Sequence, residues 1–225
     1  MTRRTERPVV AWDVDDVLNC LLPAWLEEAW NDLNPQARRE LRDLAENPPH
    51  ALLGITLDAY RDSLDAFRLR RAADLAPQPE VLRWFHEHGE LAHHVAITST
   101  SLVATPVSAA WVMRHFGRWI RTVMFVPSHR PASPCPQYDR TKVDALTRMG
   151  GADVLIDDTP VNLEGARERG MAPILWPAPW NSAGAARTSI EATLAGIRAA
   201  MDDATSASMI LAVKIDLVFL KRMTP

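Results

Sequence analysis

Four groups of polar residues follow one another along this chain in an order that suits phosphate chemistry. They are Asp13-Val14-Asp15-Asp16-Val17-Leu18-Asn19, Thr98-Ser99-Thr100, Lys142 and Asp157-Asp158. Together they supply two carboxylates two residues apart, a hydroxyl group, a fixed cation and a second pair of carboxylates. Such a set can hold Mg²⁺, bind a phosphate and transfer it to an aspartate.

The first group begins where an apolar run ends. Residues i and i+2 of an extended segment point the same way, so Asp13 and Asp15 face one site. Two close carboxylates repel each other and need a cation, and Mg²⁺ prefers hard oxygen ligands. One carboxylate can attack phosphorus, while its neighbour can protonate the leaving oxygen and later deprotonate water.

The other groups have a structural as well as a chemical interpretation. Asp157 and Asp158 can complete a metal site, one by binding and one by positioning, or they can cap the following segment, although Thr159 already serves as a cap. Thr98 and Ser99 can form an anion cradle at a strand end, where Thr-Ser is also common in turns. Lys142 can neutralise a phosphate as a point charge, with Arg140 as its competitor.

Short apolar runs alternate with helical patterns along most of the chain. We predict strands over 9–12, 92–97, 122–126, 153–156 and 172–176. We predict helices between and after them over 79–88, 103–116, 139–149, 160–169 and 189–201. This alternation is typical of an α/β fold, a Rossmann-like parallel sheet with helices on both faces. Ligands bind at the carboxyl ends of such strands, and these ends carry every polar group except Lys142.

Residues 17–77 interrupt this rhythm, because they contain helical patterns over 17–33, 35–46 and 57–71 but no convincing strand. We expect a small helical cap inserted after the first strand. The alternative is two helices packed on the sheet. The predicted domains are therefore a core of 1–16 with 78–200, a cap of 17–77, and a C-terminal tail of 201–225. Four aromatic side chains of the cap are expected to form its core or, alternatively, to stack on a nucleobase: Trp25, Trp30, Tyr60 and Phe67.

Composition excludes few classes of function. The 225 residues carry a net charge of −3, so a nucleic-acid partner is conceivable but not favoured. Arg68-Leu69-Arg70-Arg71 is interpreted as a solvated helix face, with a phosphate-contacting patch as the alternative. Cys20 and Cys135 lack metal-ligand spacing, and no signal segment opens the sequence, so we expect a cytoplasmic protein.

The apolar segment 209–220 has twelve residues and contains Lys214 and Asp216, so it does not match a membrane span of about 20 apolar residues. We expect it to form an extra strand. A segment that binds a partner or a membrane surface, or a contact between two copies in a homodimer, is the alternative.

Taken in order, the four groups resemble the motifs of the haloacid dehalogenase-like (HAD) hydrolase superfamily, over about residues 8–181. The resemblance implies a Rossmann-like core and a cap inserted after the first motif. It implies that Asp13 is the nucleophile, that Asp15 is the acid/base, and that Thr98, Ser99 and Lys142 bind the phosphate. It also implies a metal site in which Mg²⁺ is held by Asp13, by the backbone carbonyl of Asp15 and by Asp158, with Asp157 in support.

Within the superfamily the chain is most similar to the 5'(3')-deoxyribonucleotidases. The similarity rests on Ile97-Thr98-Ser99, Thr141-Lys142-Val143, residues 154–158 and Ala178-Pro179-Trp180-Asn181. These enzymes usually have Gly where this chain has Asp16. The first motif is also similar to that of HAD domains attached to nucleic-acid repair proteins.

The sequence thus predicts a Mg²⁺-dependent phosphomonoesterase that forms an aspartyl-phosphate and acts on a nucleotide or another small phosphomonoester. Asp15 argues against the dehalogenases, which expel halide and need no acid there. A polynucleotide-end phosphatase, a phosphomutase and a non-catalytic phosphate-binding module are the alternatives.

Overall fold

The structure is a computed structural model that describes residues 7–126, 128, 130, 136 and 138–223, with side chains described up to residue 207. Its centre is a sheet of five parallel strands: β1 (Val9–Trp12), β2 (His93–Thr98), β3 (Ile120–Phe125), β4 (Val154–Asp157) and β5 (Ala172–Leu175). Their order across the sheet is β3-β2-β1-β4-β5. The predicted α/β Rossmann-like fold is confirmed, and each strand lies within two residues of its predicted bounds.

The helices occupy the intervals between and after the strands. They are α1 (Leu21–Trp25), α2 (Leu57–Arg71), α3 (Pro79–His88), α4 (Thr105–Phe116), α5 (Lys142–Arg148), α6 (Ser182–Ala185) and α7 (Ile190–Met223). The last turn of α1 continues as a π-helical segment, Leu26–Asn31. Gly89 ends α3 at the predicted position.

Apolar side chains cover both faces of the sheet. Val10 and Trp12 of β1 point to one core, which also contains apolar residues of α1 to α4 and α7. Ala11 points to the other core, together with Val143 and Leu146 of α5. Alternate residues of a strand face opposite sides, so one short apolar run serves both layers. The predicted placement of helices on both faces is confirmed.

The strand order has one point of reversal. The chain runs from β1 outward through β2 to β3, then returns to the other side of β1 and continues through β4 to β5. The carboxyl ends of β1 and β4 therefore lie side by side at the switch point, where parallel sheets of this kind bind ligands. This position brings the first and the last polar groups of the sequence together.

The insert between β1 and β2 is less helical than expected. The helix predicted over 57–71 is confirmed as α2, but the one predicted over 35–46 is wrong. Two single 3₁₀ turns, Pro35–Ala37 and Leu41–Asp43, replace it. Between them Glu40 is extended, and its side chain and that of Asp43 form a reciprocal cap that starts the second turn. These local bonds compete with a continuous helix.

The aromatic side chains of the insert pack together. Trp25, Tyr60 and Phe67 are buried, and the Trp25 ring lies edge-on to Tyr60 at 5.1 Å between centroids. Trp30 packs against Trp25 at 6.3 Å. The expected packing role is therefore the one that the structure shows.

The insert leaves and rejoins the sheet domain at one point. Asn19 and Pro77 form an antiparallel bridge, and the N–H of Gln78 donates to the carbonyl of Leu18 at 2.8 Å. The Cys20 thiol contacts the Gln78 side chain at 2.9 Å in the same place, whereas Cys135 lies outside the described residues. The two chain passages are thus paired, and the division into core and cap domains at this bridge stays a prediction.

The helix predicted over 160–169 is wrong. The segment has two 3₁₀ turns, Pro160–Leu163 and Arg167–Arg169, and the Thr159 side chain does not cap the first one. Glu164 is extended and Gly165 has a φ of 73°, which interrupts any helix between the turns.

The strand expected near the C-terminus is also wrong, because α7 continues through the segment as far as Met223. The residues from 197 to 223 contain no Gly or Pro, and Ala, Leu, Met and Lys favour helix. Within the described part of the chain, no helix combines the length and apolar character that crossing a membrane requires. The partner and dimer roles of this segment stay predictions.

His94 of β2 is a core residue. It is 4% exposed, its Nδ1 accepts a hydrogen bond from the Trp12 indole at 3.0 Å, and its Nε2 lies 3.0 Å from the carbonyl of Gly89. This arrangement fits the neutral imidazole with its proton on Nε2. Burial lowers the pKa of His94 to about 4.

We predict that His94 makes the protein less stable in mild acid. An unfolded histidine has a pKa of about 6.5, so the unfolded chain binds a proton that the folded chain excludes between pH 6.5 and 4. As pH falls through this window, the free energy of unfolding should lose about 3 kcal/mol through His94. Urea unfolding at several pH values should show the free energy of unfolding of the wild type and of His86→Gln, an exposed-histidine control, falling by about 3 kcal/mol relative to that of His94→Gln as the pH falls from about 6.5 to about 4. Equal pH dependence in all three proteins would contradict it.

Candidate active site

The four polar groups meet at the carboxyl ends of β1, β2 and β4. Asp13 follows β1, and its N–H extends the ladder by donating to the carbonyl of Ile156 at 2.9 Å. Thr98 is the last residue of β2 and Asp157 is the last residue of β4. Asp13, Thr98 and Asp157 are buried. The sheet therefore fixes the backbone of the residues that the sequence singled out.

Lys142 joins two of the carboxylates. It is the first residue of α5, whose start is fixed by the Thr141 side chain, which accepts a hydrogen bond from the Asp144 N–H at 3.0 Å. Its Nζ lies 2.6 Å from Asp13 Oδ1 and 2.6 Å from Asp157 Oδ2. Burial alone would lower the pKa of Lys142, but the two carboxylates reverse this and raise it above its usual value. The competing Arg140 is exposed.

Asp157 is held by four neighbouring groups. Besides Lys142 on Oδ2, its Oδ1 accepts hydrogen bonds from the Thr159 N–H at 2.9 Å and from the Asn162 side chain at 2.9 Å. Its backbone carbonyl accepts a hydrogen bond from the Trp176 N–H at 2.9 Å. A carboxylate with both oxygens engaged is suited to orient Lys142, which fits the supporting role expected for Asp157.

Asp158 is supported by the loop after β5. Its Oδ2 accepts a hydrogen bond from the Trp180 indole at 2.8 Å, and its backbone carbonyl accepts from the Asn181 side chain at 2.7 Å. Asn181 also donates to the carbonyl of Trp176 at 2.8 Å. Trp180 and Asn181, which carry part of the family resemblance, therefore orient Asp158, a role that the sequence alone does not predict.

The site carries a concentration of negative charge. Oxygens of Asp13, Asp157 and Asp158 lie within 4.8 Å of one another, and all three residues are buried. Burial raises the pKa of Asp13 well above its usual value; Lys142 opposes the rise, and Asp157 and Asp158 add to it. Burial, followed by repulsion from Asp157, raises the pKa of Asp158 to about 7. Three buried carboxylates with one lysine are short of positive charge, and their hard oxygens fit Mg²⁺.

Asp15 stands apart from this group and turns toward the insert. Its Oδ1 accepts a hydrogen bond from the Asn19 side chain at 3.1 Å, and its Oδ2 pairs with the Arg68 guanidinium at 2.8 Å. The expected contact of its backbone carbonyl with a metal stays a prediction. The acid/base candidate is thus held on one side by the first motif and on the other by α2.

Asp16 occupies the position where the resemblance expected glycine. Its φ is 64°, a left-handed conformation that Asp tolerates better than most residues. Its N–H donates to the Asn19 side chain at 3.1 Å, and its Oδ1 accepts from the Leu22 N–H at 2.8 Å. Burial raises the pKa of Asp16 to about 8. Asp16 therefore shapes the turn and fixes the start of α1.

A cavity of about 210 Å³ lies between the strand ends and the insert. From the sheet side it is lined by Asp13, Thr98, Ser99, Lys142 and Asp158. From α2 it is lined by Tyr60, Arg61, Leu64 and Arg68, and from the segment after β3 by Ser128 and Arg130. The structure brings every predicted site residue except Asp157 to this cavity wall, and Asp157 supports it from behind.

Sequence reasoning missed Arg68. The interpretation of the arginine cluster as a solvated face holds for the exposed Arg70 but is wrong for Arg68, which is 7% exposed. Burial opposes its charge, but Asp15 and Asp65 outweigh this and raise the pKa of Arg68. The sequence does contain one indication of its burial. Arg68 lies seven residues after Arg61 and four residues after Leu64, so the three share one face of the helix.

Comparisons with solved structures identify the fold. The chain is similar to a hydrolase from Streptococcus pneumoniae TIGR4 (9% identity, 81% of this chain and 99% of that chain, TM-score 0.52). It is also similar to a candidate phosphoglycolate phosphatase from Lactobacillus delbrueckii (13% identity, 81% of this chain and 91% of that chain, TM-score 0.51). A third similar structure is a haloacid dehalogenase-like protein from Agrobacterium tumefaciens (14% identity, 75% of this chain and 82% of that chain, TM-score 0.51). A scan of protein-family models and a search of curated proteins found no match. The fold is that of the haloacid dehalogenase-like hydrolases.

We predict that removing the Lys142 cation destabilises the protein. Lys142→Met leaves Asp13 and Asp157 buried without their counter-charge, which should cost about 3–5 kcal/mol of unfolding free energy. Urea unfolding in chelator would measure this loss. Adding Asp157→Asn to Lys142→Met should recover part of it, because one buried charge is then removed.

Arg148→Met is the matched control, since it removes an exposed cation at the other end of α5, where Arg148 pairs with Asp139. It should change stability little. A Lys142→Met protein as stable as this control would show that the buried ion pairs do not hold the site together.

Proposed function

We propose that this protein is a HAD-type, Mg²⁺-dependent phosphomonoesterase that acts through an aspartyl-phosphate on Asp13. The observation that carries the proposal is the grouping of Asp13, Lys142 and Asp158 on one wall of a cavity at the sheet's switch point. The shared fold with HAD-like hydrolases supports the same class of reaction.

Asp13 is the nucleophile in this proposal. Among the described residues, two groups contact its carboxylate, Lys142 Nζ at 2.6 Å and the Val14 N–H at 2.7 Å, and both contact Oδ1. Oδ2 can therefore approach phosphorus while Oδ1 holds the carboxylate in place. Lys142 favours the ionised form of Asp13, which burial opposes. Attack forms a bond from Oδ2 to phosphorus as the bond to the ester oxygen breaks.

Asp15 is the acid and then the base. It gives a proton to the leaving alcohol oxygen, and it then takes a proton from the water that attacks the phosphorus of the aspartyl-phosphate. This second step returns Asp13 and releases inorganic phosphate. The contacts of Asp15 with Asn19 and Arg68 fix where the carboxylate can act.

The phosphate-binding group consists of Thr98, Ser99 and Lys142, which line the cavity. Mg²⁺ would be held by Asp13, Asp158 and the backbone carbonyl of Asp15, with Asp157 orienting Lys142. When bound, the ion supplies positive charge to the transferring phosphoryl group. Lys142 adds a second fixed charge that is in place before the substrate arrives.

A small phosphomonoester is the substrate that the cavity supports. Its volume of about 210 Å³ lies below the usual range for drug-sized ligands. Among the described aromatic side chains of the insert only Tyr60 lines the cavity, and its ring also packs against Trp25, which favours neither a nucleobase nor a polynucleotide end. The name of the Lactobacillus delbrueckii structure, a candidate phosphoglycolate phosphatase, points to the same size of substrate.

We predict Mg²⁺-dependent phosphate release. The protein should release phosphate from an aryl phosphate and from some members of a panel of small phosphomonoesters and nucleoside monophosphates. Release should fall to background in EDTA and return with excess Mg²⁺, because the buried carboxylates need the cation. Colorimetric phosphate detection measures this. No release from any ester by folded protein in Mg²⁺ would instead favour a phosphate-binding module.

We predict that Asp13→Asn lowers kcat by at least about 10³-fold, since an amide cannot replace the nucleophilic carboxylate. Asp32→Asn, the same change at an exposed position, should leave kcat unchanged. Rapid quenching with ³²P-labelled substrate should give a hydroxylamine-sensitive label on the wild type and none on Asp13→Asn. An ordinary turnover rate in Asp13→Asn, with its circular dichroism spectrum unchanged, would rule out this mechanism.

A further inference from the structure

One face of α2 presents arginine to the cavity. Arg61 and Arg68 are seven residues apart, with Leu64 between them, and all three line the cavity. Positions i, i+3 and i+7 share one side of a helix, so this face of α2 is turned as a whole toward the strand ends. Arg70 lies on the same helix but is exposed.

Arg68 has a donor that its protein contacts do not use. One terminal nitrogen pairs with Asp15 at 2.8 Å and the other with Asp65 at 3.0 Å. The Nε atom is buried and has no hydrogen-bond partner among the described residues. A buried donor without a partner is costly, so an acceptor supplied by a ligand would improve the site. Because a guanidinium offers five N–H groups, Arg68 can hold Asp15 and a ligand together.

A second arginine joins this wall through a shared carboxylate. Asp65 accepts a hydrogen bond from Arg68 at 3.0 Å. It also accepts two hydrogen bonds from Arg130, at 2.9 Å and 3.2 Å. Arg130 lies after β3 and lines the same cavity. Arg61 reaches its ion-pair partner Asp58 only at 3.9 Å. Arg61, Arg68 and Arg130 therefore bring three guanidinium groups to one wall of the cavity.

From these contacts we propose that the leaving group of the substrate carries a second anionic group, a carboxylate or another phosphate, which Arg68 binds. The inference rests on the phosphatase function proposed above. Asp15 must reach the ester oxygen in order to protonate it, and Arg68 lies 2.8 Å from Asp15. The first atoms of the leaving group therefore pass beside Arg68, and an anion one or two carbons from the ester oxygen meets the guanidinium.

Arg61 extends this site outward. Seven residues of helix correspond to about 10 Å, so Arg61 is positioned for an anion farther from the ester oxygen. The preferred substrate is thus a short phosphorylated hydroxy acid or a compact bisphosphate. A nucleoside monophosphate has no second anion on its leaving group and is disfavoured.

Three esters with the same two-carbon leaving group test this specificity. Ethyl phosphate has a methyl group at the far carbon, 2-phosphoglycolate has a carboxylate, and ethylene glycol bisphosphate has a second phosphate. We expect kcat/KM for at least one anionic ester to exceed that for ethyl phosphate by about tenfold to hundredfold, the usual effect of a charge-assisted hydrogen bond. The better of the two anionic esters identifies the second group.

Variants then assign the effect to residues. Arg68→Gln should lower kcat/KM for all three esters, because it also releases Asp15, but it should lower the value for the preferred anionic ester by about tenfold more. Arg61→Gln should lower kcat/KM for the bisphosphate more than kcat/KM for ethyl phosphate. Arg70→Gln, the matched control on the same helix, should leave all three values unchanged.

The outcomes separate this inference from the function on which it rests. If the wild type hydrolyses ethyl phosphate within about twofold of both anionic esters, the inference is overturned while the phosphatase proposal stands. Equal losses for all three esters in Arg68→Gln would also overturn it and make Arg68 solely a positioning residue for Asp15. If no ester, including an aryl phosphate, is hydrolysed, then it is the phosphatase proposal that fails. The comparison of the three esters uses the wild-type protein alone, so it tests the inference even if a variant fails to fold.

Discussion

The site depends on one buried ammonium group between two carboxylates. Lys142 Nζ lies 2.6 Å from both Asp13 and Asp157, and each of these residues comes from the end of a different central strand. Without this cation, two buried negative charges would face each other at the place where β1 and β4 lie side by side. Buried pairs of this kind add little net stability, but they fix geometry, because every displacement exposes an uncompensated charge.

The same constraint explains the arrangement around it. Asn162 and the Thr159 N–H hold the oxygen of Asp157 that Lys142 does not use. Trp180 and Asn181 hold Asp158 from the loop after β5. Each support comes from a segment that follows a strand end, so the parallel sheet supplies both the reactive groups and the residues that orient them.

Local patterns predicted the sheet well, since buried parallel strands are continuous apolar runs and Asp13, Thr98 and Asp157 mark their ends. They failed where single residues decide the backbone: the segment after Pro160 is interrupted by the extended Glu164 and by the positive φ of Gly165, in spite of its helix-forming residues. They also failed for Arg68. Its burial results from Asp15 and Asp65, and the pairing of Arg68 with Asp15 joins residues 53 positions apart. Neither the composition nor the periodicity of the sequence can predict such a contact.

The bridge between Asn19 and Pro77 has a consequence for how this chain can vary. The segment between them begins and ends at paired residues, and the entropy cost of closing it grows only with the logarithm of its length. Insertions or deletions in its exposed turns would leave the strand order and Lys142 with its carboxylates in place, whereas Trp25, Leu64 and Phe67 belong to the same buried core as β1. Selection for new substrates can therefore act on Arg61 while Arg68, which holds Asp15, and the phosphate-handling end of the cavity stay the same.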